Sequence, residues 1–190
     1  MGRAQRNPSL AESHDQLPAP LRPRRQLLLH GQPVQRRSTL LIEHIDKLRD
    51  AFRATRSHHP FRIDAIVVLP DHLHAVWTLL QDDFDFATRW RFIKAAFSHA
   101  QAPGEPISAS RAGKRERGIW QRRYWEHTLR DDADVARHID YIHFNPVRHG
   151  YVDEAWQWPY SSFRRMVGLG VYPKQWAGGA QGDGAAFGKR

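Results

Sequence analysis

The sequence predicts an α+β protein of the ferredoxin-like, split βαβ plan. Two apolar runs, 61–69 and 72–80, flank a Pro-Asp turn, which is typical of a strand hairpin. Apolar residues recur at helical spacing before this hairpin, after it and again around residue 139. With a further strand-like segment at 119–128, the order becomes strand, helix, strand, strand, helix, strand, helix, in which the first strand is the doubtful element.

The two ends of the chain do not match folded elements well. Segment 1–35 mixes Pro, Arg, Gln and Ser without periodicity, and its only apolar cluster is 27–29, so we expect a disordered or aberrant arm. Segment 166–190 is rich in Gly and Ala and is expected to be a flexible tail. The folded domain is therefore predicted over 36–165.

Two predicted helices flank the hairpin. The first begins after a cap at Ser38 or Thr39 and extends to about Arg56. The second covers 88–100, and its apolar spacing turns its basic residues, Arg89 among them, toward solvent.

A third predicted helix begins after Asp131 or Asp132 and carries Tyr141 and Asn145. These two side chains are four residues apart, so they share one face of the helix. Pro146 disfavours the helical conformation at the residue before it, so the helix is expected to end at Asn145, where both side chains can approach the sheet. Taken singly, a packing tyrosine and a helix-ending asparagine are the alternative interpretations.

His72 and His74 lie two residues apart in the second strand of the hairpin. Strand side chains alternate between faces, so the two imidazoles point the same way. Two imidazoles on one face can bind one divalent metal ion, although a pair of surface histidines is the alternative. Asp71 is expected to shape the turn before them.

The composition favours a nucleic-acid partner. Lys and Arg total 29 against 20 Asp and Glu, which gives a formal net charge of +9 in 190 residues and favours a polyanion. A basic domain without such a partner is the alternative. The chain has no cysteine, which excludes a disulfide scaffold and a thiolate metal site. Without a membrane-spanning apolar stretch or a signal-peptide core, a cytoplasmic protein is expected.

Three motifs occur in a fixed order: VLPDHLH at 68–74, YIHFNPVRHG at 141–150 and WPYSSF at 158–163. A His-hydrophobic-His pair on a strand, followed by a single tyrosine with an amide residue four positions later, resembles the HUH single-tyrosine (Y1) transposases. The three motifs together are similar to the REP-associated tyrosine transposases. The resemblance extends from about residue 36 to about residue 163.

This resemblance implies an HUH endonuclease-type fold, with an antiparallel sheet and helices on one face. It implies that Tyr141 attacks a DNA phosphate to give a covalent 5′-phosphotyrosine and a free 3′-hydroxyl. A metal ion held by His72, His74 and Asn145 would polarise that phosphate, and Mg²⁺ or Mn²⁺ is the expected ion. The family's substrates are single-stranded repetitive extragenic palindromes that fold into hairpins, so single-stranded or hairpin DNA is the expected partner of a monomer or a homodimer.

Several residues are candidates for contact with this DNA. Tyr124 and Trp125 can stack on unpaired bases, which is worth roughly 1–3 kcal/mol per base. His143 and His149 are expected to contact DNA or support the structure, and His127 with Glu126 to support the site or a phosphate. The candidates for phosphate contacts are Arg122, Arg123, Arg148, Arg89, Arg91 and Lys94. A solvated charged face is the alternative for each arginine.

The first strand is where the chain departs from the family, whose members begin with a strand resembling Gly-Ser-Tyr-Phe-Phe-Thr-Val-Asn-Leu. A DNA sequence for that strand, read from its third base, encodes Gln-Leu-Leu-Leu-His-Gly-Gln-Pro, which is residues 26–33. Gly31 and Pro33 fit a central strand poorly. We hypothesise an upstream frameshift or a misread gene, which predicts that residues 1–25 are disordered and that restoring the family strand would stabilise the protein.

Three functions compete at this point. The first is a metal-dependent single-stranded DNA endonuclease and strand transferase acting on REP-type hairpins. The second is a non-catalytic hairpin-DNA-binding protein from a decayed transposase gene. The third is a metal-dependent hydrolase of small phosphoesters, against which the basic charge and the missing acidic ligand cluster count.

Overall fold

A four-stranded antiparallel sheet in the order β2-β3-β1-β4 forms the centre of the fold. The strands are β1 (Gln26–Gly31), β2 (Arg62–Val68), β3 (Leu73–Thr78) and β4 (Trp125–Thr128). The order and the antiparallel pairing confirm the predicted α+β, ferredoxin-like plan. The computed structural model describes residues 26–34, 38–105, 107–114, 116–176 and 178.

Six α-helices and one 3₁₀ turn over Ala155–Gln157 occur in the described residues. The helices are α1 (Leu40–Glu43), α2 (Ile45–His58), α3 (Phe86–His99), α4 (Ala109–Ala112), α5 (Asp132–Arg148) and α6 (Phe163–Gly168). Within this part of the chain, none of the helices combines the length and the apolar character needed to cross a membrane.

Segment 26–31 forms the central strand β1, which pairs with β3 on one side and β4 on the other. The prediction that the folded domain begins only at residue 36 is therefore wrong for this segment. Leu27, Leu28 and Leu29 are each at most 1% exposed. Three consecutive leucines suit a strand whose two faces are both covered, since every side chain then enters a core. The expectation for residues 1–25 lies outside the described residues.

Gly31 belongs in this strand because of a close neighbour. A Cβ atom at Gly31 would lie 2.2 Å from Cζ2 of Trp90, a fully buried side chain of α3. Glycine in a strand often marks such an approach. Pro33 lies beyond the end of β1, where pairing continues through the Val34 N–H, which donates to the Ile119 carbonyl at 2.8 Å.

Helices cover both faces of the sheet. On one face, α2 and α3 pack on a core that includes Leu27, Leu29 and Trp77. On the other face, α5 packs on a core that includes Leu28 and Val76. The prediction of helices on one face thus holds for the two connecting helices and is wrong for α5, because the strands present apolar side chains to both sides.

The folded domain also extends beyond residue 165. Tyr172 and Trp176 are 5% and 4% exposed and pack with Phe163 at the end of the second core. The Tyr172 hydroxyl donates to Oδ1 of Asp140 at 2.6 Å. The predicted flexible tail is therefore wrong up to residue 176, because aromatic residues within the Gly-rich segment supply buried surface.

Candidate active site

His72 and His74 lie side by side at the start of β3. Their ring centroids are 5.1 Å apart, and both residues are buried. Oδ1 of Asp71 lies 2.7 Å from Nδ1 of His72, so we assign the proton of His72 to Nδ1, which leaves the Nε2 lone pair for a ligand. Asp71 thus orients the first histidine.

A third imidazole joins this pair. His30 of β1 is the register partner of His74, and their rings stack with centroids 4.6 Å apart; the His72 ring lies 5.5 Å away. Burial and then the neighbouring His72 lower the pKa of His30 to about 4. The sequence interpretation missed His30 because it placed this segment outside the fold. Pairing this segment with β3 would have shown that His30 lies opposite His74.

Tyr141 approaches the histidines from α5. Its ring centroid lies 5.4 Å from that of His74, and the guanidinium of Arg148 lies 5.8 Å from the centre of the tyrosine ring. His149 follows Asn145 by one helical turn, and its ring centroid lies 5.3 Å from that of His72. Positions 141, 145 and 149 follow each other at four-residue spacing, so they form one row facing the start of β3.

Asn145 lies within that row and is fully buried. Among the described residues, neither its Oδ1 nor its Nδ2 atom has a hydrogen-bond partner, and the same holds for Nδ1 of His74. Buried polar groups are nearly always paired, so a ligand is the natural partner for these atoms. Burial and the neighbouring imidazoles hold the pKa of His74 well below its usual value, and a neutral imidazole is the form that binds metal. These properties make His72, His74 and Asn145 candidate ligands of a divalent ion.

The prediction that helix α5 ends at Asn145 is wrong, because the helix continues through Pro146 to Arg148. Proline removes one intrahelical hydrogen bond without a compulsory break. The turn is closed by the N–H of His149, which donates to the Asn145 carbonyl, and by the N–H of Tyr151, which donates to the Pro146 carbonyl, both at 3.0 Å. This extra turn brings Arg148 and His149 to the site.

Arg89 is not a surface residue. Its side chain is 5% exposed and pairs with Asp83. Its remaining donors reach the carbonyl oxygens of His59, Pro60 and Asp85 at 2.9–3.3 Å. The outward orientation predicted for Arg89 is wrong, and the residue leaves the set of candidate phosphate contacts, because its guanidinium anchors the start of α3 to the preceding loops.

The other basic candidates differ in their surroundings. Arg91, Arg123 and Arg148 are exposed. Arg122 is paired with Glu116 at 2.7 Å. Lys94 is half-buried, with its ammonium group 5.4 Å from the centre of the Tyr124 ring.

The two aromatic candidates also differ. Tyr124 is half-buried and packs edge-on against Trp90 of the first core. Trp125 is 37% exposed and stacks on His127, with ring centroids 5.7 Å apart. Trp125 is therefore the aromatic side chain with a surface available to a base. His143, by contrast, is fully buried against Phe163, which makes it a structural residue.

The chain was compared with protein-family models, curated proteins and solved structures. No family model matches it. It is 45% identical over 145 residues to a Haemophilus influenzae protein classed as a REP-associated tyrosine transposase, a match that covers 75% of this chain and 82% of that protein. It is 44% identical over 143 residues to the REP-associated tyrosine transposase of Escherichia coli K12, with 75% and 79% covered.

A solved structure gives the same result. The structure of a REP-associated tyrosine transposase bound to a REP hairpin matches with a TM-score of 0.75 and 39% identity, and covers 88% of this chain and 93% of that one. Fold and relatives agree on one class, the tyrosine transposases. Within that class, this chain belongs to the family of REP-associated tyrosine transposases.

Proposed function

We propose that this protein is a metal-dependent single-stranded DNA endonuclease and strand transferase that acts on REP-type hairpin DNA through a phosphotyrosine intermediate. The observation that carries the proposal is the contact across the sheet face, where the Tyr141 ring lies 5.4 Å from the ring of His74. This contact supports the proposal because it puts the proposed nucleophile beside a proposed metal ligand. A family relative solved with a REP hairpin supports the choice of DNA.

The proposed metal ligands are His72, His74 and Asn145. When bound there, Mg²⁺ or Mn²⁺ supplies Lewis-acid polarisation of the scissile phosphate. Asp71 holds the His72 ring in one orientation. His30 stands against both histidines and lines the same site.

Tyr141 performs the covalent step. Its hydroxyl oxygen bonds to the scissile phosphorus, its proton passes to a base or water, and the bond from phosphorus to the 3′ oxygen breaks. The products are a 5′-phosphotyrosine and, once the leaving oxygen is protonated, a free 3′-hydroxyl. A different 3′-hydroxyl can then reverse the step, so strand transfer needs no high-energy cofactor. The Arg148 guanidinium beside the tyrosine ring is placed to stabilise negative charge there.

The DNA surface is proposed to include the exposed arginines among the candidates and one aromatic ring. Arg91, Arg123 and Arg148 offer phosphate contacts. Trp125 presents its exposed ring for stacking on an unpaired base. The net charge of +9 favours such a partner before any specific contact forms.

The test is the Tyr141→Phe variant, incubated with labelled single-stranded hairpin DNA and Mn²⁺. Phenylalanine keeps the ring packed against His74 and removes only the hydroxyl, so cleavage and the covalent adduct should be lost while hairpin binding stays nearly intact. A variant that still cuts would move the nucleophile elsewhere. Wild-type protein that shifts the DNA without cutting it would instead support the non-catalytic hairpin-binding protein.

A further inference from the structure

A second group of metal-binding side chains lies where β4 meets the first turns of α5. His127 comes from β4, and Asp134 and His138 come from α5, one helical turn apart. Each residue offers one ligand atom, and these atoms all lie within 4.8 Å of one another. In the described part of the chain, this is the only set of three or more His, Cys, Asp or Glu residues with that property.

The spacing of two of the ligand atoms suits a small tetrahedral ion. Nε2 of His127 lies 3.6 Å from Oδ2 of Asp134. A tetrahedral ion with bonds of about 2.0–2.2 Å separates neighbouring ligand atoms by roughly 3.3–3.6 Å. Little movement is therefore needed to close His127 and Asp134 around an ion, and a ring nitrogen of His138 lies within 4.8 Å of their ligand atoms.

The groups already bound to Asp134 are compatible with a metal ligand. The backbone N–H of Arg130 donates to Oδ2 at 3.1 Å, which is the kind of support that ligating carboxylates receive from the protein. Arg137 also donates to Oδ1 at 3.0 Å, but its side chain is 63% exposed and can turn into solvent. Nδ1 of His138 lies 2.7 Å from the Asp134 carbonyl oxygen, so we assign its proton to Nδ1 and its ligand atom to Nε2.

We propose that His127, Asp134 and His138 form a second metal site, separate from the candidate active site, with the chemistry of a zinc site. Two imidazoles and one carboxylate form a donor set that Zn²⁺ takes with a water molecule in the fourth position. Imidazole ligands favour Zn²⁺ over the Mg²⁺ or Mn²⁺ expected at a phosphate-binding centre. Asp134 and His138 are buried and His127 is half-buried, so water reaches the site from the side of His127.

The ion would fasten β4 to α5. Strand β4 has only four residues and lies at the edge of the sheet, whereas α5 carries Tyr141 three residues after His138. Because His127 stacks on Trp125, a fixed His127 ring also fixes the exposed tryptophan. The metal site itself stands without the proposed function; only this effect on Trp125 rests on it.

The experiment is calorimetric titration of the metal-free full chain with ZnCl₂. In a His72→Ala/His74→Ala background, which removes the candidate active-site ligands, the chain should still bind one Zn²⁺. Adding His127→Gln should weaken that binding by at least about 10-fold, since even loss of an outer partner commonly does so. Adding His99→Gln, at an exposed histidine at the end of α3, should change nothing. Equal affinity with and without His127→Gln would overturn the proposal.

A second measurement serves if the background variant does not fold. Zn²⁺ should raise the melting temperature of the otherwise unchanged chain and raise that of Asp134→Asn less. Asparagine keeps an oxygen that can accept from the Arg130 N–H and removes the charge. An equal zinc-induced rise in both proteins would contradict the proposed site, whatever the outcome of the DNA cleavage assay.

Discussion

Asn145 is a fully buried amide whose polar atoms have no hydrogen-bond partner among the described residues. A buried group left in this state costs about 1–3 kcal/mol, so the site gains by a ligand that supplies the missing bonds. The four-residue spacing to Tyr141 made the shared helix face predictable. The burial was not predictable, because Pro146 marked Asn145 as the end of the helix, whereas the helix continues to Arg148.

The proposed metal ligands can be ranked by substitution. His72→Ala or His74→Ala should abolish metal-dependent cleavage, and Asn145→Ala should weaken it less, because an amide oxygen is a weaker ligand than an imidazole. The measurement is cleavage of hairpin DNA as a function of Mn²⁺ concentration. His58→Ala, at an exposed position in the last turn of α2, is the matched control. Unchanged titration curves in both His72 and His74 variants would rule out this site.

Asp140 predicts a pH dependence of stability. Burial raises the pKa of this carboxyl from 3.8 to about 6, although the Tyr172 hydroxyl opposes the shift. A raised carboxyl pKa means that the folded state holds the proton more tightly. This stabilising contribution is present below pH 3.8 and is lost as the pH rises through about 6.

Asp140→Asn should remove that loss. The melting temperature of the variant relative to the unchanged chain should therefore rise as the pH passes from below 3.8 to above 6. Asp153→Asn, at an exposed carboxyl, is the control and should follow the unchanged chain. A constant difference between Asp140→Asn and the unchanged chain across this range would show that Asp140 does not titrate in this way.

At the scale of elements, the hairpin and the three main helices were predictable, and β1 was the failure. The hairpin gave two clear apolar runs, and α2, α3 and α5 gave helical spacing. Strand β1 gave three leucines without alternation, because both of its faces are buried, and Gly31 had the appearance of a strand breaker until its contact with Trp90 was known. His30 was lost with the strand, and so one imidazole of the site was missed.

The contribution of β1 can be tested by truncation. A chain that begins after residue 34 should lose cooperative unfolding, because β3 and β4 lose their shared partner and three buried leucines, worth roughly 1.5–3 kcal/mol each, are removed. That sum is comparable with the whole stability of a domain, about 5–15 kcal/mol. A chain that begins at residue 25 is the control and should retain cooperative unfolding. Cooperative melting of the shorter chain would contradict a central role for β1.

For the whole molecule, composition alone indicated a polyanionic partner, but it could not show which basic residues are exposed to that partner. The excess of Lys and Arg can be counted in the sequence. In the fold, however, Arg89 is buried in an ion pair with Asp83, and Arg122 is paired with Glu116. Which arginines face outward depends on how the helices and loops pack. The residues of the candidate DNA surface could therefore be chosen only from the structure, whereas the class of partner could be inferred from the composition.

Binding of REP-type hairpin DNA should weaken as salt concentration rises, because each phosphate contact releases counterions. Arg123→Gln should weaken binding and reduce the slope of log affinity against log salt by roughly 1. Arg49→Gln is the control, since this exposed arginine is paired with Asp46 on α2 and is not part of the proposed DNA surface. Affinity that is independent of salt would contradict an arginine-rich DNA surface.

The leucines of β1 also suggest how a shifted reading frame can still encode a segment that folds. Codons for phenylalanine and leucine are rich in uracil, so a shifted reading of a uracil-rich message tends to yield apolar residues again. If residues 26–33 arose in that way, the replacement residues kept the apolar character that a buried central strand requires, because both sheet faces accept an aliphatic side chain here. A gene altered at this point would still encode a product with a complete sheet, and mutation and selection would act on a protein with a histidine newly placed beside its candidate metal ligands.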